Sequence, residues 1–551
     1  MRPSAAPGAD EPLEQDARQP VPEDPALQQW FIPDHERRNP ATDLRTFTAG
    51  NHVEVLVDGV CYFRRLVREL EATEAGDQVY FLDFRGDLDE RLDGPGTEVG
   101  SVLATASDRG VLVFGLLWRS HPRWLNQSEE ANAEFVRHVG GNNGQVLLDA
   151  RTRRAGSHHQ KLVVVRHVRE PHRDVAFVGG IDLGRGRRDD AVHAGDPQPM
   201  QFPAVYGERP PWHDLQVEVR GPAVHDLEHT FRERWYGSSV LDVPSIVRQL
   251  YDRAYHASAM TGVALPEPVA DDARPRGTQQ IQVLRTYPAR LRRYPFAPLG
   301  ERGVAAAYRR AIPRARRLIY LEDQYFWSSD AADLLAAALR KNPSLHVVAV
   351  VPRHPDMEGP MAAPGQLARQ RAVRTCRRAG GDRFHLFDLE NHEGTPVYVH
   401  AKVMVIDDVW AMVGSDNLNR RSWTHDSELS IAVLDTELDE RQPTDPGGLG
   451  DGARRFARDL RIRLVGEHLG RTTALGDLAD PRATIDALSS SAAELEAWHR
   501  NGRAGERPPG HVRPHAPAAV TTTSRAWAPL LYRVMVDPDG RAWRDRLRRR
   551  S

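Results

Sequence analysis

Residues 400–417 read HAKVMVIDDVWAMVGSDN, and residues 159–182 read HQKLVVVRHVREPHRDVAFVGGID. The two stretches can be laid on each other. His159-x-Lys161 falls on His400-x-Lys402, each is followed by an apolar run, and Gly179-Gly180-x-Asp182 falls on Gly414-Ser415-x-Asn417. The spacing from histidine to glycine is 20 residues in the first copy and 14 in the second. The extra six fit inside the turn RHVREPHRD, because a surface turn is where an insertion costs least. Two such copies in one chain imply two structural units related by a pseudo-twofold axis rather than a solenoid.

Lysine usage sharpens the repeat. Of 74 basic residues only Lys161, Lys341 and Lys402 are lysine, and two of these three stand two places after a histidine. With 23 histidines in 551 residues, chance would produce this in roughly 0.5% of such chains, low enough to outweigh the usual false-positive risk of a short motif. Side chains alternate faces along a strand, so each His–Lys pair points one way. Two pairs brought together by the pseudo-twofold surround a phosphodiester with two imidazoles and two ammonium groups. The ammoniums neutralise phosphate oxygens, one imidazole attacks phosphorus, and the other protonates the leaving alkoxide and then activates the incoming hydroxyl. A compact ammonium is not reproduced by a planar guanidinium, which accounts for lysine persisting here in an arginine-using chain.

Outward from the repeat, strand-like and helix-like stretches alternate. HVEVLVDGV and DQVYFLDF read as strands around the helical YFRRLVRELEAT, and a buried strand ends near Trp118. The alternation restarts with IQVLRTY, followed by the helical GVAAAYRRAIPRARR and the strand LIYLEDQYF. This predicts an α/β fold of two pseudo-twofold-related halves, each a mixed sheet flanked by helices and packed as one catalytic unit. The expected boundaries are a flexible leader at 1–45, a first half at 46–255 and a linker at 256–280. A second half at 281–470 and a partly disordered C-terminal extension at 471–551, ending in the basic RDRLRRRS, complete the chain.

A net charge of −2 demands no polyanionic partner. Two cysteines, Cys61 and Cys376, make no disulfide framework and suit a reducing compartment. The N-terminus lacks the apolar core of a signal peptide, and no apolar run reaches the length of about 20 residues that a membrane span needs. The bias to Ala, Arg, Pro, Gly and Asp resembles that of a GC-rich bacterial genome. No Cys/His cluster has zinc-site spacing, no Walker loop is present, and the chemistry sketched above calls for no metal or cofactor.

The stretch HAKVMVIDDVWAMVGSDNLNRRSWTHDSELSIAV resembles the second H-x-K-x4-D motif of the phospholipase D superfamily. SHHQKLVVV…AFVGGIDL followed by PWHDLQVEVRG resembles the first motif of eukaryotic-type phospholipase D, and LIYLEDQYF resembles a further strand of that family. The resemblance implies that His159 is the nucleophile and His400 the general acid/base. It implies that Lys161, Lys402, Asn417 and Ser415 bind phosphate, with Asp182 at the equivalent place in the first half. Asp214 and Glu428 would orient the imidazoles, and Asp407 completes the second motif. Arg166 stands where the first motif usually has aspartate; that aspartate is expected to be structural. His158 reads as a neighbour, and Glu322 and Gln324 as strand residues that could reach substrate. Trp118, Trp124, Trp327 and Trp423 either rim a lipid entrance or fill the core.

The implied activity is hydrolysis of a glycerophospholipid to phosphatidic acid and free head group, with head-group exchange. Competing readings are another phosphodiester enzyme on the same scaffold, cardiolipin synthase-like or nuclease, and an inactive lipid- or phosphate-binding homologue. The expected partner is phospholipid at a membrane surface, met by a monomer that is cytoplasmic or peripheral and needs no nucleic acid.

Overall fold

The strand beginning beside Lys161, β5 (Leu162–Arg166), is buried at every position. A run of β-branched residues with no polar face fits only a central strand covered on both sides. The computed structural model describes residues 29–120, 128–139, 143–236, 262–270, 274–518 and 520–542. In the first half β5 lies between β2 (Gln78–Asp83) and β6 (Val175–Gly179), antiparallel to both. β3 (Leu112–Trp118) and β4 (Gly144–Asp149) extend the sheet beyond β2 in parallel. On the other side β8 (Leu215–Arg220) and β1 (Thr48–Val57) follow β6 antiparallel. A two-residue strand, β7 (Trp212–His213), precedes β8.

The second half repeats this order strand for strand. β15 (Lys402–Ile406) sits between β11 (Leu318–Asp323) and β16 (Trp410–Gly414). β12 (His346–Val350) and β13 (Phe384–Glu390) lie beyond β11 in parallel, and β17 (Glu428–Asp435) and β9 (Gln279–Tyr287) beyond β16 antiparallel. β10 (Glu301–Arg302) adds to β9, and β14 (Pro396–Val399) connects β13 to the chain entering β15. Thr48 and Asn51 of β1 pair with Ile281 and Gln279 of β9, so the two sheets run into one large mixed sheet.

Helices cover the sheets. α1 (Asp58–Glu71) buries Tyr62, Phe63, Leu66, Val67 and Leu70, the spacing of one apolar helix face. α2 (Val99–Asp108), α3 (Glu129–Val139) and α4 (Ala223–Trp235) complete the first half. In the second half, α5 (Gly303–Ala311) is followed by α6 (Ser329–Lys341), whose N-terminus is capped by the Ser328 hydroxyl. α7 (Ala363–Gly380) and α8 (Arg455–His468) follow.

The ends of the two halves differ from the sequence boundaries. Trp30, Phe31 and Ile32, inside the expected leader, are buried in the second half's core, and Gln282 bonds both the N–H and the carbonyl of Ile32. Three apolar residues among Pro, Gln and Asp carry no periodicity, so this anchor is invisible to pattern reading. Within the expected extension, α9 (Pro481–Arg500) buries Leu488 and Leu495, and β18 (Val512–Pro514) pairs antiparallel with β13. Residues 1–28, residues 256–261 and 271–273 of the linker, and the basic end 544–551 lie outside the described residues. Among the described residues no helix is long and apolar enough to cross a membrane.

Arg166, the last residue of β5, and Asp407, the first after β15, occupy equivalent places in the repeat, and both are structural. Arg166 is 1% exposed; its guanidinium lies 2.9 Å from Asp174 Oδ2 and 2.8 Å from Glu228 Oε2 and donates to the Val269 carbonyl. The Asp407 carboxylate accepts the backbone N–H groups of Arg316, Arg317 and Leu318 at 2.7, 2.8 and 2.8 Å.

Candidate active site

His159 and Lys161 lie immediately before and at the mouth of β5, and His400 and Lys402 stand in the same relation to β15. What brings the two mouths together is main-chain pairing across the pseudo-twofold. His159 N–H donates to the Ser427 carbonyl at 2.9 Å, and Ser427 N–H donates to the Ser157 carbonyl at 3.0 Å. On the opposite side Tyr398 pairs in parallel with Trp212, and His400 N–H donates to the His213 carbonyl at 2.7 Å. The chain leading into each histidine is therefore clamped to the other half, beside the residue that starts that half's carboxylate strand.

The consequence is a reciprocal exchange. His159 Nδ1 lies 2.9 Å from Glu428 Oε2, and His400 Nδ1 lies 2.6 Å from Asp214 Oδ2. Each half holds its partner's imidazole, so neither half contains a complete dyad. Engaging Nδ1 leaves Nε2 of both rings free to react, the arrangement by which carboxylates fix the tautomer of catalytic histidines. The side chains of His159 and His400 are 15% and 8% exposed, whereas both carboxylates are fully buried, so the reacting edges alone reach solvent.

Lys161 and Lys402 donate back to the carbonyls of His159 and His400. Each ammonium has a carboxylate at the end of the neighbouring strand. Asp323 is paired in register with Lys402, and Asp83 occupies the equivalent place beside Lys161. Asp83 accepts the N–H of Phe84 and of Leu183, and Asp323 accepts those of Tyr325, Phe326 and Leu418. These carboxylates fix the loops facing the site and favour the charged form of the lysine beside each, against the burial that draws both ammoniums down. Burial, reinforced by both lysines, holds His159 and His400 well below the usual imidazole range, so both are neutral in the free site. Burial pushes Glu428 up to about 8 and draws Lys402 down to about 8.

Among the other residues singled out from sequence, Asp182 points to the site but is held by Arg187 at 2.9 Å. Asn417 is 2% exposed and its side-chain oxygen has no hydrogen-bond partner. Ser415 is not free to bind phosphate: its hydroxyl donates to Glu428 Oε2 at 2.5 Å and accepts the Leu429 N–H. It positions Glu428. The matching Gly180 has no room for a side chain, since a Cβ there would sit 2.0 Å from Asp214 Oδ1. Asp407, read from sequence as part of the catalytic motif, is far from the imidazoles in role, with its carboxylate bound to three backbone amides of the turn before β11. Glu322 is buried and bonds His213 and His468, and Gln324 bonds the Tyr398 hydroxyl. His158 is fully buried beside Asp149.

Of the tryptophans, Trp423 stacks on Tyr308 in the core and Trp124 lies outside the described residues. Trp327 stacks on Tyr325 at 4.0 Å. Trp118 stacks on Phe84, whose ring meets His159 edge-on at 5.3 Å and lies 5.3 Å from the Lys161 ammonium. Trp212 lies 5.0 Å from the His400 ring, and the Arg187 guanidinium lies over the Trp212 ring at 4.3 Å. Phe84, Arg187 and Trp212 were not legible as site residues, because single aromatics and arginines carry no spacing signal. PWHD contained Trp212, but only the pairing of β7 with β14 sets it beside His400.

The profile of the family described as Phospholipase D matches residues 95–350, and that described as Cardiolipin synthase, PLD-like domain, matches residues 308–442. Phospholipase D alpha 1 of Brassica oleracea var. capitata is 26% identical over 505 residues, covering 69% of this chain and 60% of that protein. Phospholipase D gamma 2 of Arabidopsis thaliana is 24% identical over 494 residues, covering 68% and 57%. The chain thus spans about 60% of the length of the curated relatives it matches. Among solved structures, phosphatidylserine synthase of Haemophilus influenzae Rd KW20 is similar at a TM-score of 0.46 and 13% identity, covering 75% of this chain and 87% of that one.

Proposed function

From the premise that this chain belongs to the phospholipase D superfamily, we propose that it is a phospholipase D, hydrolysing a glycerophospholipid to phosphatidic acid and free head group through a phosphohistidine. The observation that carries this reading is the reciprocal pairing of two neutral imidazoles with carboxylates of the opposite half, between two buried lysines. Glu428, ionised, keeps a proton on His159 Nδ1, and the lone pair on Nε2 attacks phosphorus. The anionic phosphodiester entering beside His400 favours the protonated imidazole, which donates Nε2–H to the departing head-group oxygen. A P–N bond forms as the P–O bond breaks. His400, now neutral, takes a proton from water, whose oxygen displaces His159 and yields phosphatidic acid. Lys161 and Lys402 stabilise charge on the non-bridging oxygens throughout.

The test is incubation of the purified chain with phosphatidylcholine vesicles, following choline release with and without ethanol. Choline release together with phosphatidylethanol supports the proposal. Release of nothing from any phospholipid, with turnover of a nucleic acid or another phosphodiester, would replace it with a different member of the same chemistry. A cardiolipin-synthase-like outcome, to which the second half's profile match lends support, would show as lipid transfer to an added glycerophosphodiester in place of hydrolysis. Because both halves lie in one chain, we propose that it acts as a monomer, peripheral at a membrane surface.

The pH dependence follows from the two groups near 8. The reactive dyad needs Glu428 ionised, which is lost as pH falls below about 8, whereas phosphate binding needs the Lys402 ammonium, lost as pH rises above about 8. For a phosphodiester with an aryl leaving group, which needs no proton from His400, kcat/KM is expected to trace a narrow bell around pH 8. A flat profile over several units on both sides would contradict these assignments.

Lys161→Arg and Lys402→Arg are each expected to lose about tenfold or more in kcat although charge is kept, a loss of at least ~1.4 kcal/mol of transition-state stabilisation. Lys402→Arg should also lose the alkaline limb, because a guanidinium stays protonated. Parent-like rates in both variants would show that any cation suffices.

A further inference from the structure

Directly behind β7, whose His213 carbonyl holds the His400 N–H, four side chains converge on one point. They are Asp58 at the start of α1, His193 in the loop after β6, His213 of β7 and Glu467 near the end of α8. One donor atom from each lies within 4.8 Å of all the others. His213 Nδ1 is 3.2 Å from Asp58 Oδ1 and 3.1 Å from Glu467 Oε1, and His193 Nε2 is 3.8 Å from Glu467 Oε1. Asp58, His193 and His213 are 2%, 0% and 0% exposed. Even so, both oxygens of Asp58, both ring nitrogens of His193, His213 Nδ1 and Glu467 Oε1 are buried and make no hydrogen bond of good geometry, although His213 Nδ1 stands within reach of both carboxylates and His193 lies beside the Trp212 main chain. Buried polar atoms are nearly always satisfied, and a group of six left unpaired around one point needs a ligand.

We infer that these four residues form a structural site for a divalent transition metal ion, with zinc the best match to two imidazoles and two carboxylates. Ligands about 2.0–2.2 Å from a tetrahedral ion stand roughly 3.3–3.6 Å from one another, close to the separations here. Two carboxylates and two neutral imidazoles also balance a dication in a place where an unpaired charge would be expensive. The outer contacts are those of a metal-binding histidine. His213 turns Nδ1 to the cluster and Nε2 to Glu322 at 2.8 Å, and the other Glu322 oxygen lies 2.8 Å from His468 Nε2. A carboxylate behind a ligating imidazole fixes its tautomer and direction. A lone proton on His213 explains less, since one N–H cannot serve two carboxylates at once.

Three ligands come from the first half and Glu467 from the second, so the ion would staple the halves together. It would do so beside the reacting groups: the Asp58 N–H donates to the Asp214 carbonyl at 2.8 Å, and the His213 carbonyl accepts the His400 N–H. The role is positional. No reaction step passes through the metal, and the inference stands whatever the substrate.

The experiment uses the full chain, loaded with Zn2+, desalted and measured for metal content. About one tightly held equivalent per chain is expected. Chelation should lower the thermal midpoint and zinc restore it, and Co2+ in place of zinc should give the visible absorption of a four-coordinate nitrogen–oxygen site. His193→Gln and Glu467→Gln should each lose the bound equivalent. Wild-type protein that keeps no Zn2+, Co2+, Mn2+ or Ni2+ and shows no shift in midpoint overturns the site, as does an undiminished equivalent in both variants. Because the wild-type measurement alone can overturn it, a variant that misfolds leaves the inference testable.

Discussion

Replacing His159 or His400 by alanine is expected to slow phospholipid turnover by at least the roughly 10²- to 10⁴-fold associated with losing an acid/base or nucleophilic group. The two losses should differ in kind. Without His159 no phosphoenzyme can form, whatever the leaving group. Without His400 the nucleophile and its Glu428 partner remain, 2.9 Å apart, and what is missing is the proton for the departing oxygen. A phosphodiester with an aryl leaving group, which departs without protonation, should therefore recover much of its first-step rate in His400→Ala and none in His159→Ala. Recovery in His159→Ala instead would exchange the roles of the two histidines. Parent-like turnover in either variant would remove that residue from the chemistry.

Arg166→Asp restores the residue usual in the family motif and is expected to damage the protein for a reason that has nothing to do with the site. Arg166 is buried between Asp174 and Glu228 and also holds the Val269 carbonyl. The substitution removes the cation and adds a third carboxylate. Breaking a buried ion pair from one side costs about 3–5 kcal/mol, and the added like charge raises that. The position lies five residues along the strand from Lys161, roughly 16 Å at about 3.3 Å per residue. Thermal melting should fall by many degrees, while kcat of the folded enzyme at low temperature should stay near that of the parent. A variant as stable as the parent, or one whose turnover rises tenfold, would show that this arginine tunes catalysis.

The difference between Arg166 and Asp407 also shows what sequence can carry. The repeat was legible because the H-x-K spacing and the alternation of strands and helices are local, so the succession of elements along the chain and a His–Lys pair in each half could be read directly, whereas the pairs were read as lying on strands and in fact lead into β5 and β15. The candidates Asp214 and Glu428 were found by resemblance, but which carboxylate serves which imidazole depends on the contact of residues 157–159 with 426–428 and of 398–400 with 212–214. No local pattern records such pairing. Ser415 and Asp407 were assigned by their place in a motif, and motif membership does not separate a group facing phosphate from one holding Glu428 or capping a turn. Trp30–Ile32 and β18 join the second half through tertiary burial that short, aperiodic segments do not announce. The Asp58–His193–His213–Glu467 cluster is drawn from four distant segments, which is why no metal-site spacing was visible in the chain.

The central claim is a covalent phosphohistidine on His159, formed between two half-sites that each complete the other. The most direct measurement is rapid acid- and alkali-quench of the enzyme mixed with phosphatidylcholine labelled in its phosphate, followed by identification of the labelled residue. Label is expected on His159, stable to alkali and released by acid. It should accumulate before steady state when hydrolysis of the P–N bond is slowed, and ethanol should discharge it as phosphatidylethanol. Active enzyme that never carries label, and that gives only phosphatidic acid at every ethanol concentration, would contradict it.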